Sequence, residues 1–118
     1  MAGDWIAWEK GLPLKREVMA IAGKLSLDRR VVACLCMETW SWADAETADG
    51  CIPGVQPTCI DDVVGIVGFG QAMVDVGWIL ADAQGLIFPN WERMNTKSAK
   101  RRLRENGRKR QQRGGEEA

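Results

Sequence analysis

The residues able to build a hydrophobic core stop early in this chain. Beyond Trp91 the composition shifts abruptly, and in NTKSAKRRLRENGRKRQQRGGEEA Leu103 is the only large aliphatic residue. Such a stretch cannot bury enough apolar surface to offset the entropy of ordering it. The composition therefore predicts a folded domain over 1–92. It predicts a basic tail over 93–118 that is partly helical, fraying at Gly107, or disordered. With 118 residues, 46% of them apolar and 27% charged, the chain reads as one ordinary globular domain plus that tail. No apolar run approaches the roughly 18 residues that a spanning helix needs, so no membrane partner is expected. The opening MAGDWIAWEKG carries an acid at Asp4 and no sustained apolar stretch, so it does not read as a secretory signal.

Sixteen basic and sixteen acidic residues give a formal net charge of zero, but they are not mixed. Residues 1–90 hold 6 Lys/Arg and 12 Asp/Glu, a net of −6, whereas residues 91–118 hold 10 and 4, a net of +6. A folded body with a basic tail suggests contact with nucleic acid; the alternative is a solvated end that keeps the protein soluble.

The chain has no His and no Tyr, so acid–base chemistry would fall to carboxylates, Lys or Cys. That leans toward a binding module, with no enzyme activity, metal or cofactor expected. Cys34 and Cys36 form a C-x-C inside a predicted helix, where residues two apart point about 200° apart. Cys34 falls on the polar stripe with Arg30, Glu38 and Ser41, and Cys36 on the apolar side, so one zinc ion cannot easily take both. Without an export signal a disulfide framework is not expected either, which leaves reduced, structural cysteines.

Hydrophobic spacing predicts a first helix from about Pro13 to Leu25, with Leu14, Val18, Ile21 and Leu25 on one face. Asp28 can cap a second helix through about Ala43, with Val32, Leu35, Cys36, Thr39 and Ala43 inward and Trp40 and Trp42 on either flank. The six Trp read as core, with a base-stacking platform as the sharper alternative. DAETADGCIPG, 44–54, reads as a turn and a brief strand at Cys51 and Ile52. Thr58 and Asp61 fit a capping box opening a third helix with Ile60, Val63, Val64 and Val67 inward, broken at Gly68. A fourth helix spans about Phe69 to Val76, with Phe69, Ala72, Met73 and Val76 inward and Gly77 ending it. Two apolar runs, Trp78–Leu80 and Leu86–Phe88, then suggest a hairpin with a longer loop, closed by Pro89.

Three other patterns are weaker than they look. VVGIVGFGQAM places Gly68 and Gly70 as in a dinucleotide-binding turn, but Met73 stands where the third glycine belongs. Asp44, Glu46 and Asp49 resemble a calcium loop, yet Ala48 takes a ligand position and the closing Glu is missing. Asp61 and Asp62, conceivable as a metal pair, are accounted for by capping and the helix dipole in a first helical turn.

The predicted order is helix, helix, strand, helix, helix, hairpin, basic tail. That is a mainly α, α+β chain: a winged helix-turn-helix with an extra N-terminal helical element. DWIAW near the start, WSWAD ending the second helix, DGCIPG, VGWILADAQGLIFPNW and KSAKRRLRENGRKRQQR carry a resemblance over about residues 4–113. The chain resembles the N-terminal winged-helix domain of phage replisome organisers, the replication initiators of phages and prophages. The resemblance implies a DNA-binding protein of replication initiation, acting on double-stranded DNA in the bacterial cytoplasm. In that family a separate C-terminal region recruits the helicase or its loader, and with the chain ending at Ala118 that part is not expected here.

The residues themselves qualify how DNA would be held. In a helix-turn-helix the second helix enters the major groove. Here its outward positions would be Gly70, Gln71, Val74 and Asp75, of which Gln71 can pair with adenine while Asp75 repels phosphate. The wing loop Asp82-Ala83-Gln84-Gly85 is acidic too. Body cations lie at Lys10, Lys15, Arg16, Lys24, Arg29 and Arg30. Affinity is therefore expected from the tail, through Lys97, Lys100, Arg101, Arg102, Arg104, Arg108, Lys109, Arg110 and Arg113. Gln71, Arg29 and Arg30 are the weaker body contacts. A protein-interaction winged-helix module docking a replication or host protein is the alternative from another class, and a transcriptional regulator is a third.

Overall fold

The computed structural model describes Trp5, Ile6, residues 8–89 and Trp91. Among these, four α-helices and a small three-stranded antiparallel sheet make a mainly helical α+β fold. No helix among the described residues is long and apolar enough to cross a membrane.

The chain enters through a 3-10 turn, Leu12–Leu14, and then α1, Arg16–Leu25. Proline does begin a helical turn here, but Lys15 is extended (φ −64°, ψ 144°) and resets the phase before α1. Leu12 is therefore buried and Leu14 is 66% exposed, which corrects the expected face of the first helix. Val18 and Ile21 are buried as their spacing requires.

Helix α2, Arg29–Glu46, opens on Asp28, whose side chain accepts the Arg30 N–H at 2.8 Å. Val32, Cys36, Thr39 and Ala43 are buried along it, and Leu35 is half-buried. The Thr39 hydroxyl satisfies itself by donating to the Leu35 carbonyl at 2.9 Å. Cys34 is exposed and Cys36 buried, on opposite sides as their spacing demands, and burial pushes the Cys36 thiol up to about 12. The helix runs one turn past Ala43, so Asp44 and Glu46 belong to it, and Thr47 and Asp49 hold the turn that follows.

After β1, Cys51–Pro53, the chain makes α3, Pro57–Val64, and α4, Phe69–Asp75. The expected capping box is not formed. The N-cap of α3 is Gln56, so Thr58 lies inside the helix and the first turn holds no acid. Asp61 and Asp62 fall beyond that turn. The helix ends at Val64 with Gly65 in the left-handed region, and Val67 points outward at 90% exposure.

The hairpin is β2, Leu80–Asp82, and β3, Gly85–Ile87, joined by two residues and not by a longer loop. Asp82 Oδ1 accepts the N–H of Gln84 at 2.7 Å and of Gly85 at 3.1 Å, which is how so short a connection closes. Strand β1 pairs with β3, giving the order β1-β3-β2. The Gly54 N–H donates to the Gln84 carbonyl at 2.7 Å, bracing the hairpin tip on the end of β1.

Phe69, Leu12, Ile21, Ile60, Met73, Ile79, Leu86, Val18 and Val32 form the centre of the core. Each such side chain contributes about 1.5–3 kcal/mol of transfer free energy. Trp91 is buried edge-on against Phe88, with ring centroids 5.5 Å apart, and Trp40 meets Trp78 at 5.4 Å. Trp42 is half-buried against the same core. Trp5 and Trp8 depart from the core reading: both precede the 3-10 turn and are exposed, at 39% and 50%.

Candidate nucleic-acid interface

The α3–α4 turn is built by one carboxylate. A helix begins with backbone N–H groups that have no partner inside it. Gly68, the N-cap of α4, has no side chain to supply one. Asp61 does so from the preceding helix: Oδ2 accepts the Gly68 N–H and Oδ1 the Gly70 N–H, both at 2.8 Å. Gly68 has φ 89°, a conformation that a side chain disfavours. Gly70 is needed for space, because a Cβ there would fall on the Pro57 carbonyl. Gly70 is therefore buried in the α3–α4 contact and is not one of the outward positions of α4.

Three outward positions remain, Gln71 and Asp75 exposed and Val74 half-buried. Gln71 Nε2 donates to Asp75 Oδ1 at 2.9 Å. Lys24, in the last turn of α1, donates to and pairs with the other oxygen of Asp75. Asp75 is thus held below the ordinary Asp range, first by the Lys24 contact and then by the Gln71 amide. The acid expected to repel phosphate already has a counter-ion. Gln71 keeps its carbonyl oxygen and one amide hydrogen for an outside partner.

One body cation reaches this helix, from the end of α1. Lys24 reaches α4, and Leu25 packs close to Gly68. A few residues on, Arg29 and Arg30 begin α2, half-buried and exposed respectively. Among the described residues the ion pairs are Lys15–Glu9, at 2.9 Å, and Lys24–Asp75, so neither Arg29 nor Arg30 is committed to a carboxylate. No hydrogen bond joins either of them to Gln71. The hairpin tip offers no cation, and its acid, Asp82, is turned onto the backbone of its own turn.

The tail residues Lys97, Lys100, Arg101, Arg102, Arg104, Arg108, Lys109, Arg110 and Arg113 lie outside the described residues. The sequence reading missed the link from Lys24 to Asp75, 51 residues apart, for which no local pattern exists. It also missed the role of Asp61, whose signal was an acid upstream of closely spaced glycines and not an acid near a helix start. Among the described residues, no group of three His, Cys, Asp or Glu is placed to hold a metal ion. In comparisons with known proteins, the chain matches no family model, no curated protein and no solved structure.

Proposed function

We propose that this chain is a winged helix-turn-helix protein that binds double-stranded DNA, as a binder and not an enzyme, in phage or prophage replication initiation in the bacterial cytoplasm. Helices α3 and α4 would be the helix-turn-helix and β2–β3 the wing. The observation that supports it best is connectivity: a strand precedes the helix pair, a hairpin follows it, and the order β1-β3-β2 ties the hairpin back to that strand. Under this reading α4 faces the major groove with Gln71, Lys24 of α1 stands against α4, and Arg29 and Arg30 at the start of α2 are the further body cations. The tail cations supply most of the affinity through phosphate contacts, which position the protein and carry little sequence information.

The test is fluorescence anisotropy of the full chain on a labelled duplex between about 50 and 300 mM salt. Each neutralised phosphate contributes about −0.9 to the slope of log K against log salt. Five or six tail contacts then give a slope near −5, and replacing the nine tail cations from Lys97 to Arg113 by Gln removes most of it. No binding at low salt ends the reading.

A second reading rests on one observation. Leu80 and Ile87, directly opposite each other on β2 and β3, are both exposed. An apolar cross-strand pair of this kind suits a protein partner, such as a replication or host protein. Loss of partner capture in Leu80→Ser/Ile87→Ser, with DNA affinity untouched, would favour it.

A further inference from the structure

We propose that Val67 determines sequence specificity by packing against the C5-methyl of a thymine in the major groove. This rests on the reading of α3–α4 as a DNA-binding helix-turn-helix. Val67 is the most exposed large apolar side chain described, at 90%. Its neighbours explain why it cannot turn in. Ile66 is half-buried, Phe69 is fully buried, and the Phe69 N–H closes the turn on the Ile66 carbonyl at 3.3 Å. Asp61 pins the two amides just beyond it. The turn is fixed on both sides and Val67 is presented at its apex, where the core gains nothing from it.

Val is also stiff at χ1, so this apolar knob has its shape before any partner arrives. It stands just ahead of α4, at the end of the second helix that approaches base edges in a helix-turn-helix. Among major-groove edges the apolar group on offer is the thymine methyl. Gln71, four residues on and exposed, brings an amide suited to adenine. Valine and glutamine together fit a site containing A·T pairs, and neither can imitate the arginine contact to guanine.

The experiment uses the full chain and a duplex selected from a randomised pool of about 20 base pairs. Each thymidine is then replaced in turn by deoxyuridine, which removes only the methyl. The expected result is about a fourfold loss at one position, the factor for one buried methyl group. Val67→Ala should bind the thymidine and deoxyuridine duplexes alike, while Val67→Ile keeps the discrimination. The proposal is overturned if no position distinguishes the two bases, or if Val67→Ala still does. An equal loss by Val67→Ala on selected, substituted and unselected duplexes overturns it too, and points to a role in protein contact. If the wild-type chain binds no duplex at all, the DNA-binding reading itself has failed, and that outcome is separate from these.

Discussion

Asp61 Oδ1 accepts the backbone N–H of Gly70 at 2.8 Å, so the start of α4 is capped by a residue of α3. The other oxygen holds the Gly68 N–H at the same distance. One carboxylate therefore satisfies two donors that α4 cannot satisfy itself, and it ties the start of α4 to α3. Removing it leaves both amides without their charge-assisted partner. Asp61→Ala should lower stability by about 2 kcal/mol in urea unfolding, within the range of lost helix caps and charged hydrogen bonds. Asp61→Asn, which retains one acceptor oxygen, should recover part of that. A change below a few tenths of a kcal/mol in Asp61→Ala would show that water replaces the carboxylate without cost.

Gly70→Ala tests the same junction by space and not by polarity. The new Cβ meets the Pro57 carbonyl, a backbone group that cannot rotate away, so α3 and α4 must move apart. Overpacking of this kind costs roughly 1–3 kcal/mol or more. Gly77→Ala is the control: its φ is 83°, but nothing lies within reach of a Cβ, so only the backbone conformation is penalised, by about 1 kcal/mol. Thermal unfolding should rank the wild type above Gly77→Ala, and Gly77→Ala above Gly70→Ala.

What the sequence made legible depended on how many turns a pattern had to declare itself. Helix α2 runs 18 residues, and its cap at Asp28 and inward Val32, Cys36, Thr39 and Ala43 follow from spacing alone. Helix α4 has 7 residues, fewer than two full turns of useful pattern, and Gly70, outward by spacing, has another helix lying against it. Thr58 and Asp61 have the spacing of a capping box, yet the helix is already under way at Pro57, with Gln56 as its N-cap, so Thr58 cannot be the cap. Strand β1 is three residues long, and its pairing with β3 is set by tertiary contacts that no local pattern encodes. In the candidate site, Gln71 was visible as an exposed amide. Its tie to Asp75 was within reach of i,i+4 reasoning, whereas the contact from Lys24 was not.

The four thiols should not react alike. Cys34 and Cys51 are exposed and Cys59 is intermediate, while Cys36 is buried with its thiol pushed up to about 12 by desolvation. The thiolate is the reactive form, so Cys36 is protected both by access and by protonation at neutral pH. Titration of the native protein with a chromogenic disulfide should leave one thiol unmodified until denaturant is added, and Cys36→Ala should remove that slow class. Fast reaction of all four thiols in the native state would contradict the packing of α2 against the core.

Lys24, Asp75 and Gln71 make a pH-dependent link between α1 and α4. Asp75 is held below its ordinary range by Lys24 and then by Gln71, so the folded state favours its charged form more than the unfolded chain does. A depressed carboxyl stabilises the fold above its unfolded value, near pH 4, and that contribution disappears as pH falls through the lower folded value. Both partners are well exposed, so the effect is small and salt-screened. In Asp75→Asn the decline in urea midpoint below about pH 4 should be shallower than in the wild type, with the difference shrinking at 1 M salt. The same substitution unpairs Lys24, leaving a free cation beside α4. If α4 faces DNA, Asp75→Asn should therefore tighten duplex binding and steepen its salt slope by about one phosphate's worth, roughly −0.9. Unchanged affinity and slope would place Lys24 away from the duplex and leave the electrostatic contact to the tail, Arg29 and Arg30.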